Sequence, residues 1–245
     1  MGAPTTTQPD ATNASTVYLH TYTPTQTAFA DTTPLPPYTF EINRGISGSN
    51  TIQVVGAVCN NLTLDFSSDQ KLLHCTSDWL AKNTSLIAKT SPSYETPDPF
   101  NWSQGVIKIA TVANNLMESC SITINNNLEG VTTLNNTELI SRIARTDLRS
   151  IAIEFTMDMQ DTTEYTNFIN QTEQALQITF TGAVAGGAVN FQLIIDIPVF
   201  RPESYSWVMN SATGRISASI AGAGLYSTSD THSIKMRLFN TKSSY

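Results

Sequence analysis

The feature that most constrains this chain is an alternation of apolar and polar residues, which recurs along much of its length. In residues 151–159 every odd position is apolar, and three of the four even positions are polar. Side chains on a β-strand point to opposite faces in turn, so this pattern gives one dry face and one wet face. Similar alternation occupies residues 62–66, 121–124, 176–180, 189–199, 216–220 and 234–238. The chain is therefore predicted to be mainly β, with antiparallel strands.

One segment breaks this period and predicts a short flanking α-helix. Asp161 can cap a helix, and Glu164 follows at the spacing of a capping box. Tyr165, Phe168 and Ile169 then form an apolar stripe at helical spacing.

The charge balance excludes some classes of function. Charged residues make up 13% of the chain, well below the usual share, and the net charge is −7. A weakly charged polar surface suits a protein that packs against neighbours. An acidic chain is a poor sequence-reading nucleic-acid binder, although an acidic wall would let DNA pass without adhesion. The amino-terminal residues predict no signal peptide, and no apolar run reaches transmembrane length, so we expect no membrane association.

Catalytic or metal chemistry has little support in the sequence. The three histidines are scattered, and the three cysteines (Cys59, Cys75 and Cys120) have no metal-binding or disulfide spacing. A glycosidase using Glu154 and Asp158 as paired carboxylates is formally open, but the tryptophans give no visible sugar platform. We expect neither an enzyme nor a cofactor.

The chain divides into three expected regions. Residues 1–16 are small and polar and predict an extended arm that a partner would have to hold. Residues 17–105 form an amino-terminal β region, and residues 106–245 form the main β-domain. Within the latter, residues 125–149 read as a long polar loop, a type that is usually functional or ordered by a partner.

Several of these segments together carry a resemblance to a known family. The run SITINNNLE at 121–129, a loop ending in RTDLR at 145–149, the alternating strand, the helix at Tyr165 and a strand ending in Ile-Pro at 197–198 resemble the major tail tube protein of long-tailed bacteriophages. The resemblance covers residues 106–241. Residues 59–66 and 120–128 also resemble each other, which leaves open a degenerate copy of the tube fold in residues 17–105.

Membership of that family implies a small antiparallel β-sandwich or barrel with one short flanking helix and long assembly loops. Its copies would close into rings that stack into a hollow tube. Hexameric rings are favoured, with trimers of pseudo-sixfold symmetry as the alternative. The implied partners are the chain itself, the tape measure protein and other tail proteins, and genomic DNA passing without specific binding. The protein would reside in the virion tail and assemble in the host bacterial cytoplasm.

Two groups of residues are the site candidates. Glu154 and Asp158, on the wet face of their strand, are expected to face the lumen. Contacts between subunits or between rings are expected from the long loop, at Asn125, Asn126, Asn127, Glu129, Arg142, Arg145 and Arg149.

Two other classes of protein remain as alternatives. A non-catalytic carbohydrate-binding or adhesin-like sandwich would be a monomer or small oligomer with affinity for sugar. Another ring-forming virion protein would make one ring and stop. The tube hypothesis predicts extended self-assembly without a small ligand.

Overall fold

The computed structural model describes residues 2–24, 35–45, 50–91, 98–134, 137–209 and 214–244. Its strands are β1 (Thr5–Thr7), β2 (Tyr18–Tyr22), β3 (Tyr38–Ile42), β4 (Thr51–Ser67), β5 (His74–Leu80), β6 (Asn83–Ile87), β7 (Gly105–Ile109), β8 (Val112–Ala113), β9 (Met117–Asn125), β10 (Leu128–Val131), β11 (Arg142–Arg145), β12 (Ser150–Asp158), β13 (Gln174–Gly186), β14 (Val189–Met209), β15 (Ile216–Leu225) and β16 (Lys235–Asn240). A 3-10 turn lies at Trp102–Gln104, and helix α1 spans Thr163–Ile169.

The strands form two antiparallel layers that share the long strand β14. Its first half pairs with β16 on one side and β13 on the other, giving the layer order β1-β2-β16-β14-β13-β7-β8. Residues 201–209 of β14 pair instead with β15, giving the second layer β14-β15-β12-β9-β4-β5. A register shift between Pro202 and Ser204 marks the region where β14 changes layers. Such bulges bend a strand, which lets one strand serve both sheets.

The core lies between these layers and uses the apolar positions of the alternating runs. Ile151, Ile153, Phe155 and Met157 of β12 are all buried. Two aromatic pairs join the layers edge-on or tilted: Phe66 with Phe180 (ring centroids 5.1 Å apart) and Phe155 with Phe200 (5.6 Å). Each large apolar side chain buried in this way contributes about 1.5–3 kcal/mol.

Strand β4 is longer than the sandwich needs. Residues 61–67 pair with β9 inside the second layer, whereas residues 51–55 pair with β6 and residues 52–57 with β3. The change comes at Gly56, whose φ of +66° is a left-handed conformation that glycine adopts without steric cost. We call β3, residues 51–57 of β4 and β6 the projecting sheet. It extends the chain beyond the two packed layers.

The amino-terminal segment is held by the chain itself. β1 pairs antiparallel with β2, and Val17 is fully buried. Buried His20 joins three segments, since its Nδ1 accepts from the Thr6 hydroxyl (2.9 Å) and its Nε2 donates to the Lys242 carbonyl (2.9 Å). The expected arm therefore finds its partner strand within its own chain.

The mainly β antiparallel sandwich with a short helix is confirmed. The helix begins after Thr162, one residue later than the predicted cap, and Asp161 accepts a hydrogen bond from the Thr163 backbone N–H (2.8 Å). Tyr165 and Phe168 pack on β14 as the stripe predicts, but Ile169 is exposed. Part of the predicted loop at 125–149 is a hairpin of β10 and β11.

The expected regions 17–105 and 106–245 meet in one core. Leu64 and Phe66 of β4 are buried in the same cluster as Cys120 and Ile122 of β9. The boundary at residue 105 does not separate two packed units. The boundary and the duplicated tube fold therefore stay proposals about the ancestry of the chain.

Candidate assembly and lumen surfaces

The outward side of the second layer is a broad polar surface, which we call the polar face. It comprises the residues that alternate with the buried ones on β4, β9, β12 and β15: Asn61, Thr63, Asp65, Ser67, Ser119, Ser121, Thr123, Asn125, Ala152, Glu154, Thr156, Asp158, Ser217, Ser219, Ala221 and Ala223. Hydroxyls bond across it, between Thr63 and Thr123 (3.0 Å) and between Ser119 and Thr156 (2.5 Å). The side chains of this set are short polar, alanine or acidic ones, so the surface has no large apolar side chain.

The two predicted lumen residues lie on this face in different electrostatic surroundings. Glu154 is exposed and sits opposite Ser121, which in turn sits opposite Asp65, so two carboxylates share one cross-strand row. Asp158 is instead joined by Arg215, whose Nε lies 3.6 Å from a carboxylate oxygen. Arg215 also pairs with Glu118. Of the three carboxylates on the polar face, Glu154 and Asp65 are therefore the two without a cationic partner among the described residues.

Asp65 and Arg215 are absent from the sequence-predicted set. The alternation that places Glu154 outward places Asp65 outward too, so the same rule could have found it. Arg215 needed the fold, because it lies 57 residues beyond Asp158 along the chain.

The three predicted arginines lie in unequal surroundings. Arg142 is exposed at the start of β11, whereas Arg145 and Arg149 are partly covered. Burial lowers the pKa of Arg149 to about 10, and the positive charge of Arg145 adds to that effect. Burial also lowers the pKa of Arg145, and one of its terminal nitrogens is enclosed without a hydrogen-bond partner among the described residues. This end of the loop concentrates positive charge on an acidic chain.

The asparagine residues of the loop are used mainly within the chain. Asn126 is buried, donates to the Cys59 carbonyl (2.9 Å) and accepts from Nε of Arg149 (2.8 Å). Asn127 takes a left-handed backbone (φ +50°) and donates to the Leu148 carbonyl (2.5 Å). Asn125 lies on the edge of the polar face. Glu129 is exposed on β10, opposite Ala144, so it and Arg142 are the predicted contact residues that face solvent.

Both lateral edges of the second layer are open along the described part of the chain. Residues 74–80 of β5 pair with β4 on one side, and residues 201–209 of β14 pair with β15 on one side. An unpaired strand edge presents a row of backbone donors and acceptors that invites another strand. This sheet can therefore be extended at each end.

An apolar ledge surrounds helix α1 at the end of β14 and β15. Tyr165 stacks on Trp207 (5.4 Å) and meets Tyr205 edge-on (5.4 Å). Trp207, Met209, Ile169 and Ile216 remain exposed around this aromatic cluster. We call these four residues, with Asp161 and Glu164 of the helix region, the helix shoulder. No local sequence pattern groups them, since 38 residues separate Ile169 from Trp207.

Groups that could support chemistry are dispersed over the described residues. There, no three His, Cys, Asp or Glu side chains converge as metal ligands would. Cys120 is buried, Cys59 partly buried and Cys75 exposed, all as free thiols. An apolar cavity of about 320 Å³ lies between the two layers, lined by side chains that include Trp79, Leu64 and Met236. No helix in the described ranges is long and apolar enough to cross a membrane.

Comparison with known proteins places this architecture in a class of virion components. The family model described as phage tail tube protein matches residues 1–227. Among solved structures, a chain titled as the virion of a native gene transfer agent particle is similar, with 19% identity, a TM-score of 0.38, and coverage of 52% of this chain and 95% of that one. No curated protein matches.

The family match spans most of the sequence. The chain belongs to the phage tail tube protein family. It is a structural virion protein of the phage tail, and the family is a structural rather than an enzymatic one.

Proposed function

We propose that copies of this chain close into rings by joining their sheets edge to edge, and that the rings stack into a tube that DNA traverses. The observation that carries this proposal is the second layer itself. It combines two open edges with a smooth, acidic polar face. Pairing β5 of one copy with residues 201–209 of β14 in the next would remove both edges in a closed ring.

In this arrangement the polar face lines the lumen. DNA carries one negative charge per about 1.7 Å of its axis, so a wall holding Glu154 and Asp65 repels rather than retains it. Small Ser, Thr and Ala side chains offer neither aromatic platforms for bases nor apolar contacts. The wall therefore guides DNA without binding it.

The remaining assignments follow from the family and from the surfaces. We favour six copies in a ring, with three copies as the alternative. Other tail proteins, including a tape measure protein inside the tube, would be further partners, and assembly would take place in the host bacterial cytoplasm. Arg142, Arg145 and Arg149, with Glu129, would make charged contacts to a neighbouring copy. The chain would have no catalytic role.

The lumen assignment is tested with two variants, each of which reverses a single charge on a different surface. Glu154→Lys changes the polar face, and Glu173→Lys makes the same change at an exposed position after helix α1. Both variants should assemble, but phage carrying Glu154→Lys should eject DNA more slowly, because a cationic ring in the lumen holds phosphates. Ejection is followed by dye release at several salt concentrations, and the delay should shrink as salt rises. Equal ejection by the two variants would exclude Glu154 from the lumen.

The arginine assignment has a separate test. Replacing Arg142, Arg145 and Arg149 together by Ala should impair tube formation while the monomer stays folded by circular dichroism. Normal tubes from this variant would show that the contact lies elsewhere. A single Arg142→Ala change separates the exposed arginine from the two that are partly covered.

A further inference from the structure

The projecting sheet has one apolar face that nothing in the described chain covers. The register places Ile42, Ile52 and Leu86 in one row and Phe40 beside Val54 in the next, all on the same side. Leu86 is 65% exposed and Ile42 48% exposed. Phe40 contacts Trp79 of β5 (ring centroids 4.7 Å) where the projecting sheet joins the sandwich. Beyond Phe40, the apolar face has no contact of this kind with the sandwich in the described residues. An amphipathic sheet face of this kind is expected to be buried against a partner.

The charges of the projecting sheet and of the helix shoulder are complementary. Residues 38–45, 50–57 and 82–91 contain Arg44, Lys82 and Lys89 against Glu41, a net of 3 − 1 = +2. Residues 159–170, which include helix α1, contain Asp161 and Glu164 and no Lys or Arg, a net of −2. Arg215, beside Ile216, is paired with Asp158 and Glu118. On a chain of net charge −7, a basic apolar surface and an acidic apolar surface form a selective pair.

The two surfaces lie too far apart to meet within one chain. Met209 and Ile216 of the shoulder lie at the same end of the second layer as Ser67 of β4. Met209 pairs with Ile216 at the start of β15, and Ser217 pairs with Asp158 at the end of β12. Two residues earlier in β12, Thr156 pairs with Ser119, which pairs with Ser67. Ile52 lies toward the opposite end of β4, 15 residues from Ser67 along the strand, a separation of up to about 50 Å at 3.3 Å per residue. The complement of each surface is therefore on another copy, in a head-to-tail arrangement along the strand direction.

We infer that the apolar face of the projecting sheet docks on the helix shoulder of a second copy of this chain. Ile42 and Leu86 would pack against Ile169, Trp207 and Met209, while Lys82 and Lys89 approach Asp161 and Glu164. This inference rests on the proposed self-assembly into a tube. This head-to-tail contact runs along the strands, across the direction of the edge-to-edge ring contact, so it would add copies along the tube rather than around the ring.

Site-directed crosslinking in assembled material tests the contact directly. One chain carries Leu86→Cys and the other Ile169→Cys, both with Cys75→Ser to remove the exposed native thiol. After mixing, assembly and mild oxidation, the pair should give a disulfide-linked dimer at about tenfold the yield of a control pair that combines Leu86→Cys with Val112→Cys. Val112 is similarly exposed but lies on the edge strand β8.

A second pair of variants measures the energetic effect. Leu86→Lys should raise the protein concentration needed for assembly about tenfold, because a lysine replaces an apolar contact. Val112→Lys should leave that concentration unchanged. Both side chains are exposed in the single chain, so thermal melting of the unassembled protein should stay the same for both variants.

Electron microscopy of the crosslinked samples separates the two proposals. Hollow tubes without a Leu86→Cys to Ile169→Cys crosslink, or with Leu86→Cys chains linked to each other, would overturn the docking inference and leave the tube. Unchanged assembly by Leu86→Lys would overturn it as well, and would point to another tail protein as the occupant. The expected crosslink in particles without a lumen would support docking and contradict the tube.

Discussion

The two halves of β4 belong to one strand and yet have opposite surroundings. In residues 61–67 the apolar side chains Leu64 and Phe66 are buried beneath the other layer. In residues 51–57 the equivalent side of the strand carries Ile52 and Val54 on a face that ends in exposed Leu86. The difference shows that alternation determines which side of a strand is apolar, whereas the presence of a second layer determines whether that side is buried within one chain.

The largest expected effect contrasts a covered leucine with an uncovered one. Leu64→Ala should lower the free energy of unfolding by about 2–5 kcal/mol, since it removes buried methyl groups and leaves a cavity. Leu86→Ala should change it by no more than about 0.5 kcal/mol. Urea denaturation of the unassembled chain measures both, and equal losses would mean that Leu86 is packed within its own chain.

A smaller effect is expected at the junction of the two halves. Gly56→Ala should cost about 1–2 kcal/mol, because alanine is strained at a φ of +66°. Gly56→Asn is the matched control and should cost less, since asparagine tolerates the left-handed region better. If both variants were as stable as the native chain, the junction at Gly56 would not require this backbone conformation.

The smallest effect concerns Glu164 on the helix shoulder. Burial raises the pKa of its carboxyl, and Asp161 adds to this, although a hydrogen bond from Asn167 opposes it. The folded chain therefore holds this proton at a pH where the unfolded chain releases it, so stability falls as pH rises through the folded pKa. The Glu164→Gln variant should be as stable as the native chain below the ordinary Glu pKa near 4.5, and more stable than the native chain at higher pH. Thermal melts between pH 3.5 and 7 measure the difference, and a constant offset across that range would contradict this origin.

The sandwich was predictable because its strands carry their own period. Residues 151–159 indicated both the strand and its wet face, so Glu154 could be placed without coordinates, and the helix was visible from the stripe at Tyr165 and Phe168. The alternation in residues 62–66 likewise places Asp65 on the polar side of its strand, so Asp65 was predictable as a second acidic residue of the polar face.

Other parts of the candidate site depend on pairing between distant segments. The approach of Arg215 to Asp158 follows from β15 lying beside β12, and no local pattern specifies that register. The placement of Asn126 beneath Arg149 likewise depends on β4, which supplies the Cys59 carbonyl that holds the amide. The exposure of the projecting sheet could not be predicted, because alternation is the same whether or not a second layer covers the strand.

Cryo-electron microscopy of the purified chain over a concentration series decides whether it is a tube subunit with a polar lumen. We expect hollow tubes of uniform width, built from rings of six or three copies, with β12 and Glu154 lining the channel. Tubes whose polar face points outward, or a chain that remains a monomer at every concentration and in the presence of the tail tip that would initiate assembly, would contradict this expectation.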